Sequence, residues 1–374
     1  MNPPRSESAM RAVLWLGSAL MLGAWASPGL AQTGGVPVPF YTPGDLMRSV
    51  YKFWYVPQAK NFAEQAALLP AAIAKVCEAG SGAAQLEQAR SQWKTTTSAW
   101  DKLSGVQIGP LVLRRSARQI DFMPTRPELI KNAIQTAPAD ATAMESIGTP
   151  AKGLPALEWL LWVQPITSST SANIAACTYA VQVAADIKRE ADELDKEFAA
   201  LGARKPGEQE ENNVPAVSEL LNQWTGGLER LRWAEMEKPR LAGATGLAGG
   251  AVPSGIRSSA AYARSASGQT AERWSSQWLA LRSLGAAQTA DAPRPGAGLV
   301  PLETYMRGLG RDEPASKLAQ TMARTDKALQ KLKPANKAGV TAAARTIAEV
   351  KKVAEAEVAP AMEVSIGFSD ADGD

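Results

Sequence analysis

The chain has 374 residues, with 40 basic and 37 acidic side chains, a formal net charge of +3 and no histidine. Near-neutral charge gives no support for nucleic acid as a partner. The lack of histidine removes Ser-His-Asp and Cys-His catalysis, HExxH zinc sites and every His-ligated metal, so an enzyme here would have to work with carboxylates, lysine or backbone groups.

The first 31 residues read as a secretory leader. Arg5 and Arg11 precede the apolar stretch AVLWLGSALMLGAW, and small residues close it at Gly29-Leu30-Ala31. That pattern predicts cleavage before Gln32 and a periplasmic or secreted protein. No later apolar run approaches the roughly 18 residues that suggest a membrane span. The remaining length is long for one core and predicts two domains, 32–166 and 167–374.

Alanine is abundant and strand-like runs are almost absent, so the expected fold is all-α, two helical bundles. Residues 44–79 predict two helical segments split near Pro57, with Phe62, Ala66, Leu69 and Ile73 at helical spacing. A helix follows over 82–103, carrying Leu86, Trp93 and Trp100, and GVQIGP breaks it. Leu111 to Ile120 predicts another helix. Thr125 and Glu128 match a capping box around Pro127 and predict a short helix over 128–135. Residues 136–152 read as a loop, and GLPALEWLLWV then forms a short apolar helix bounded by Pro165.

ITSSTSAN is a polar linker and the expected domain boundary. A long amphipathic helix over 172–201 repeats Val183, Ile187, Leu194 and Phe198. Leu220 to Leu231 mark the next, and a Gly-rich excursion separates it from a helix over 257–284 with Trp274 and Trp278. The linker GAAQTADAPRPGAG leads to helices near 302–309, 315–333 and 338–358. Paired tryptophans in each half suggest internal duplication. Neither GGLERLRW nor GAAQTADAPRPGAG has GxxxxGK[ST] or GxGxxG spacing, so no phosphate loop is indicated. The terminal SDADGD, with Asp370, Asp372 and Asp374, lacks most ligands of a calcium loop and reads as an acidic tail.

Cys77 and Cys177, in an exported chain, predict one disulfide, with two free thiols as the alternative. Glu158 is the sharpest candidate site residue. A carboxylate amid Leu157, Trp159, Leu160 and Leu161 is costly to bury unless paired. One reading is a ligand or metal contact at a domain junction. The other is a buried carboxylate held by an arginine or by backbone donors. Arg115, Arg118 and Asp121, at helical spacing, and Arg126 beyond the bend supply possible partners.

GLPALEWLLW resembles the GxHxxE motif of imelysin-like proteins, through Gly153, Glu158, Leu160, Leu161 and Trp162, with Pro155 where the family's histidine belongs. RQIDFMPTR is similar to the family's R-x-x-x-F-W-P segment through Arg118, Phe122 and Pro124, and GFSDADGD is similar to endings common in the group. The resemblance implies two helical bundles with the motif near their junction, an envelope location and a link to iron acquisition or regulation. The family's founding name implies a metallopeptidase whose metal pair is the motif histidine and glutamate. Only Glu158 carries over, so the expectation is an exported binding or accessory protein without peptidase activity, in iron- or metal-related envelope physiology. A carboxylate-only metallopeptidase and a structural envelope protein are the alternatives.

The expected site is the pocket beneath GLPALEWLLW: Glu158, Arg118, Asp121, Arg126, Gly153, Pro155 and Trp162, with Arg257 from the second domain. The expected cofactor is a metal ion such as iron or calcium on Glu158, since oxygen-only sites accept such ions. The expected partner is a small ligand or an envelope protein.

Overall fold

The computed structural model describes residues 38–166, 171–208, 210–245, 262–289 and 291–367. The leader, the heart of the polar linker, residues 246–261 with Arg257, and the Asp370–Asp374 end lie outside the described residues. Among the described residues all regular structure is helical, and no helix is long and apolar enough to cross a membrane.

Helix α1 (Pro43–Val50) starts with a capping box, in which Asp45 N–H donates to Thr42 Oγ1 at 3.1 Å and Thr42 N–H to Asp45 Oδ2 at 3.0 Å. It runs through a π-helical turn (Tyr51–Tyr55) into α2 (Val56–Val76) without the break expected at Pro57. In the π turn Val56 N–H reaches back to Tyr51 O. Proline has no N–H to give, and it follows a place where the hydrogen-bond ladder is already displaced, so it is absorbed rather than disruptive.

Helix α3 (Ala83–Leu103) is followed by α4 (Pro110–Leu113) and α5 (Ser116–Ile120), separate where one helix was expected. Arg115 between them takes a left-handed conformation, φ 54°, which ends the first turn. Helix α6 (Pro127–Thr136) has Arg126 as its N-cap, and the expected Thr125–Glu128 capping box does not form. Proline prefers the first helical position, so Pro127 moves the start one residue on, and Glu128 pairs with Lys131 instead. The expected loop contains a short α7 (Ala141–Glu145), capped by Asp140 accepting from Ala143 N–H, and a 3₁₀ turn at Thr149–Ala151.

The motif forms α8 (Gly153–Glu158) and a second π turn (Trp159–Val163). There follow α9 (Ser171–Gly202), α10 (Asn213–Glu229), a π-helical segment (Arg230–Glu237) and α11 (Lys238–Thr245). Helix α12 (Thr270–Gly285) begins well after the expected residue 257. The preceding 262–269 is a tight turn, with Arg264 at φ 62° and Gly268 at φ 71°. Helices α13 (Leu302–Gly308), α14 (Asp312–Leu329), α15 (Lys337–Val353), a last π turn (Ala354–Val358) and α16 (Ala359–Ala361) complete the described chain.

Residues from Val38 onward belong to one compact unit. Helix α2 packs along α3 and α9, α14 along α15, and α12 lies against α3. The expected boundary at 166/167 thus precedes α9, a helix that returns to pack on α2. Phe62, Leu69, Trp93, Trp100, Phe198, Trp224 and Trp274 lie almost fully buried in a continuous core. Each such side chain contributes about 1.5–3 kcal/mol relative to exposure. Cys77, after α2, and Cys177, on α9, form the expected disulfide, with Cα atoms 5.7 Å apart.

Candidate functional site

The motif begins where two backbones touch. Gly153 has φ +78°, and a Cβ on it would stand 2.3 Å from the carbonyl oxygen of Ile120, the last residue of α5. Only glycine combines that conformation with that approach. The contact sets the start of GLPALE directly on RQID, so the two segments singled out in the sequence form one structure. Lys152, the N-cap of α8, is itself buried and reaches Asp186 of α9 at 3.1 Å, while Tyr179 of α9 donates its hydroxyl to Ala151 O.

Glu158, 6% exposed, ends α8 and points at the turn before α12. Its Oε1 accepts from Ser267 N–H at 2.9 Å and from Ser267 Oγ at 2.7 Å. The carboxylate is therefore satisfied by a backbone donor and a hydroxyl, not by an arginine. The three candidate arginines of this segment lie elsewhere: Arg115 between α4 and α5, Arg118 on α5 and Arg126 before α6 are exposed, and among the described residues none pairs with Glu158.

Asp121 does join the site, through arginines that sequence reasoning missed. Its Oδ1 lies 2.8 Å from Arg264 Nη2, and its Oδ2 accepts from Arg273 Nη1 at 2.7 Å and from Trp100 Nε1 at 3.3 Å. Arg273, on α12, also donates to Asp101 on α3 at 2.5 Å, and forms a two-pronged pair with Glu235 at 2.8 and 2.7 Å. Asp101, Asp121 and Glu235 thus face Arg264 and Arg273 in a buried network, with the buried Arg230 guanidinium close enough to feel Glu235. Burial first of all pushes the Asp101 carboxyl up to about 6, against the opposing charges of Arg273 and Arg264. Burial acts on Asp121 too, but Arg264, Arg273 and the hydrogen bonds from Arg273 and Trp100 outweigh it and leave that carboxyl below its ordinary value.

Arg264 ties the two halves of the site together. Its carbonyl accepts from Ser267 Oγ at 3.1 Å and from Gln269 N–H at 2.9 Å, closing the turn that presents Ser267 to Glu158. Its guanidinium is wholly buried and stands 5.4 Å from the centre of the Trp93 ring. Beyond its ion pairs to Asp121 and, at 3.6 Å, to Asp101, its Nε and Nη1 have no hydrogen-bond partner among the described residues. Trp93 in turn donates Nε1 to Leu154 O in α8 at 3.1 Å and meets Trp162 edge-on at 5.0 Å. Trp162 marks the outer rim, where Arg90 crosses its ring and donates to Leu161 O at 2.9 and 2.7 Å. Pro155 is buried within α8.

The donor set does not fit a protein-held metal. Pro155 offers no ligand, Glu158 Oε1 already accepts two hydrogen bonds, and the neighbouring carboxylates are engaged by arginines. Among the described residues no three His, Cys, Asp or Glu side chains are placed to hold a metal ion. Chemically, the arrangement is a clamp: RQID and GLPALE grip one six-residue turn, 264–269, from two sides.

No curated protein matches the chain by sequence. An imelysin-like protein from Psychrobacter arcticum 273-4 has a similar structure, with TM-score 0.62 and 18% identity over 88% of this chain and 99% of that one. A protein from Parabacteroides distasonis ATCC 8503, proposed to be an iron-regulated protein A precursor, superposes with TM-score 0.70 and 14% identity, covering 86% and 96%. At those identities the likeness concerns the fold. The family model described as Imelysin, Peptidase_M75, matches residues 55–359, a span that holds α2 to the last π turn and includes both motif segments and the turn they grip. With most of its length matched, the chain belongs to the imelysin family.

Proposed function

We propose that this protein is an exported imelysin-family binding or accessory protein, without peptidase activity, serving iron-related envelope physiology. The observation that carries the reading is the Glu158–Ser267 pair. The motif carboxylate is used to fasten the turn before α12, and Pro155 stands one helical turn before it, where a metal pair would need its second ligand. Zinc catalysis normally needs three protein ligands and an open position. The iron connection rests on the description of the Parabacteroides distasonis relative, and export on the N-terminal leader pattern.

The test is elemental analysis and metal calorimetry on the purified protein and on Glu158→Gln, with a peptidase assay beside them. The expected result is no stoichiometric metal in either protein, no proteolysis, and lower thermal stability of Glu158→Gln. Stoichiometric metal that disappears in Glu158→Gln would sink the reading and return the carboxylate-only metallopeptidase to first place.

A further inference from the structure

The Pro- and Gly-rich linker after α12 has no part in the clamp, yet it is held firmly. Arg282 Nη1 donates to Ala286 O at 2.8 Å, Ala287 N–H to Glu303 Oε2 at 2.9 Å, Tyr41 Oη to Pro293 O at 2.5 Å and Val300 N–H to Ser49 Oγ at 3.0 Å. Contacts to α1, α12, α13 and the segment before α1 thus pin the loop along its length. Between it and α3 lies a cleft of about 400 Å³, within the range of small-molecule sites.

Its walls are made of opposite charges and amides around one aromatic ring. Trp54 comes from the π turn between α1 and α2, a backbone irregularity often found at functional positions. Its ring is fixed edge-on to Tyr55, with centroids 4.4 Å apart, and Tyr55 is anchored by its hydroxyl on Val106 O at 2.9 Å. The Trp54 indole Nε1 is buried inside the wall, with no hydrogen-bond partner among the described residues. Lys102 from α3 and Asp291 from the loop line the same space, with Gln58 and Gln288. No ion pair to either charged group is found among the described residues. Lys102 follows Asp101 in α3, so one helix feeds the buried clamp and the open cleft from adjacent positions.

One unpaired ammonium, one unpaired carboxylate and uncharged amides together complement a ligand with both charges and no net charge. The aromatic wall accepts its apolar part. We propose that this cleft is a second ligand site, for a zwitterionic small molecule of the free amino acid class, its carboxylate held by Lys102, its ammonium by Asp291 and its apolar part by the Trp54 ring.

The experiment is isothermal titration calorimetry of the purified protein with the twenty free amino acids, their methyl esters and their N-acetyl derivatives. At least one free amino acid is expected to bind, and its ester and N-acetyl forms to bind at least about tenfold more weakly, the loss expected for a charge-assisted hydrogen bond. Lys102→Met and Asp291→Asn should each cost a similar factor. Lys102 and Asp291 are outside the core, so these variants test the ligand contacts without disturbing the fold. No binding by any amino acid at millimolar concentration would overturn the proposal. So would equal binding by the blocked derivatives, or binding unchanged in Lys102→Met and Asp291→Asn.

Discussion

Gly153 and Ile120 meet so closely that a methyl group on the glycine would lie 2.3 Å from the Ile120 carbonyl oxygen. Two costs fall on Gly153→Ala: the left-handed conformation, about 1–2 kcal/mol, and the displacement of a backbone that cannot rotate away, about 1–3 kcal/mol. Gly80 isolates the first of these, because it has φ +81° and a methyl group added there would meet nothing within 4 Å. Urea denaturation should show Gly153→Ala losing about 3 kcal/mol and Gly80→Ala about 1 kcal/mol. Equal losses would mean the contact between the two motif segments contributes nothing beyond backbone strain.

The Cys77–Cys177 bridge joins residues 100 apart in the sequence, linking the end of α2 to the start of α9. A loop of that size corresponds to about 4–5 kcal/mol in the chain-entropy picture. The double variant Cys77→Ala, Cys177→Ala should unfold at lower urea by that amount, and a reducing agent should lower the parent protein to the same level and leave the variant unmoved. An unchanged midpoint in reductant would contradict a stabilising bridge.

Most helices and the motif were legible from local pattern, and the disulfide from two cysteines behind a leader pattern. Apolar residues at helical spacing mark α2, α3 and α9, and Gly153 with Glu158 is visible as a motif without any structure. The site's remaining members were not, because their pairing is long-range. Arg273 meets Asp121 across 152 residues and Asp101 across 172, and Ser267 meets Glu158 across 109. Arg118 and Arg126 were nearer in sequence and carried the right charge, but α5 and the N-cap of α6 leave them exposed. The one available signal was a charge beside a tryptophan on an apolar helix face, as in Trp100-Asp101 and Arg273-Trp274, and it does not name a partner. Pro57 misled for a different reason: a proline marks a lost hydrogen bond, and a π turn is one way to lose it without ending the helix.

Arg273 is the hub of the buried network, since Asp101, Asp121 and Glu235 all accept from it. Removing one member of a buried ionic set leaves its partners uncompensated, at a cost of about 3–5 kcal/mol. Arg273→Met keeps much of the volume and should lose that much in urea denaturation at neutral pH. Adding Asp101→Asn to it should recover part of the loss, since one stranded carboxylate is then neutral. Strictly additive effects of the two changes would show that Asp101 and Arg273 do not communicate.

Acidity should separate the two aspartates. The Asp101 carboxyl is raised from its ordinary 3.8 to about 6, chiefly by burial, so the folded protein takes up a proton that the unfolded chain has released. Its contribution to stability is therefore most favourable below about pH 4, declines as pH rises, and reaches its full cost above about pH 6. Asp121, depressed by Arg264 and Arg273, acts in the opposite sense, and its contribution is lost as pH falls below the ordinary carboxylate range. Between about pH 4.5 and pH 6.5 Asp101 thus contributes, at about 1.4 kcal/mol per unit, a dependence of about 2–3 kcal/mol. Asp101→Asn carries no such proton, so its urea midpoint should change less steeply across that interval than the parent's. Parallel curves for the two proteins would mean that Asp101 is ionised in the folded state throughout, and that its arginine partners overcome the burial.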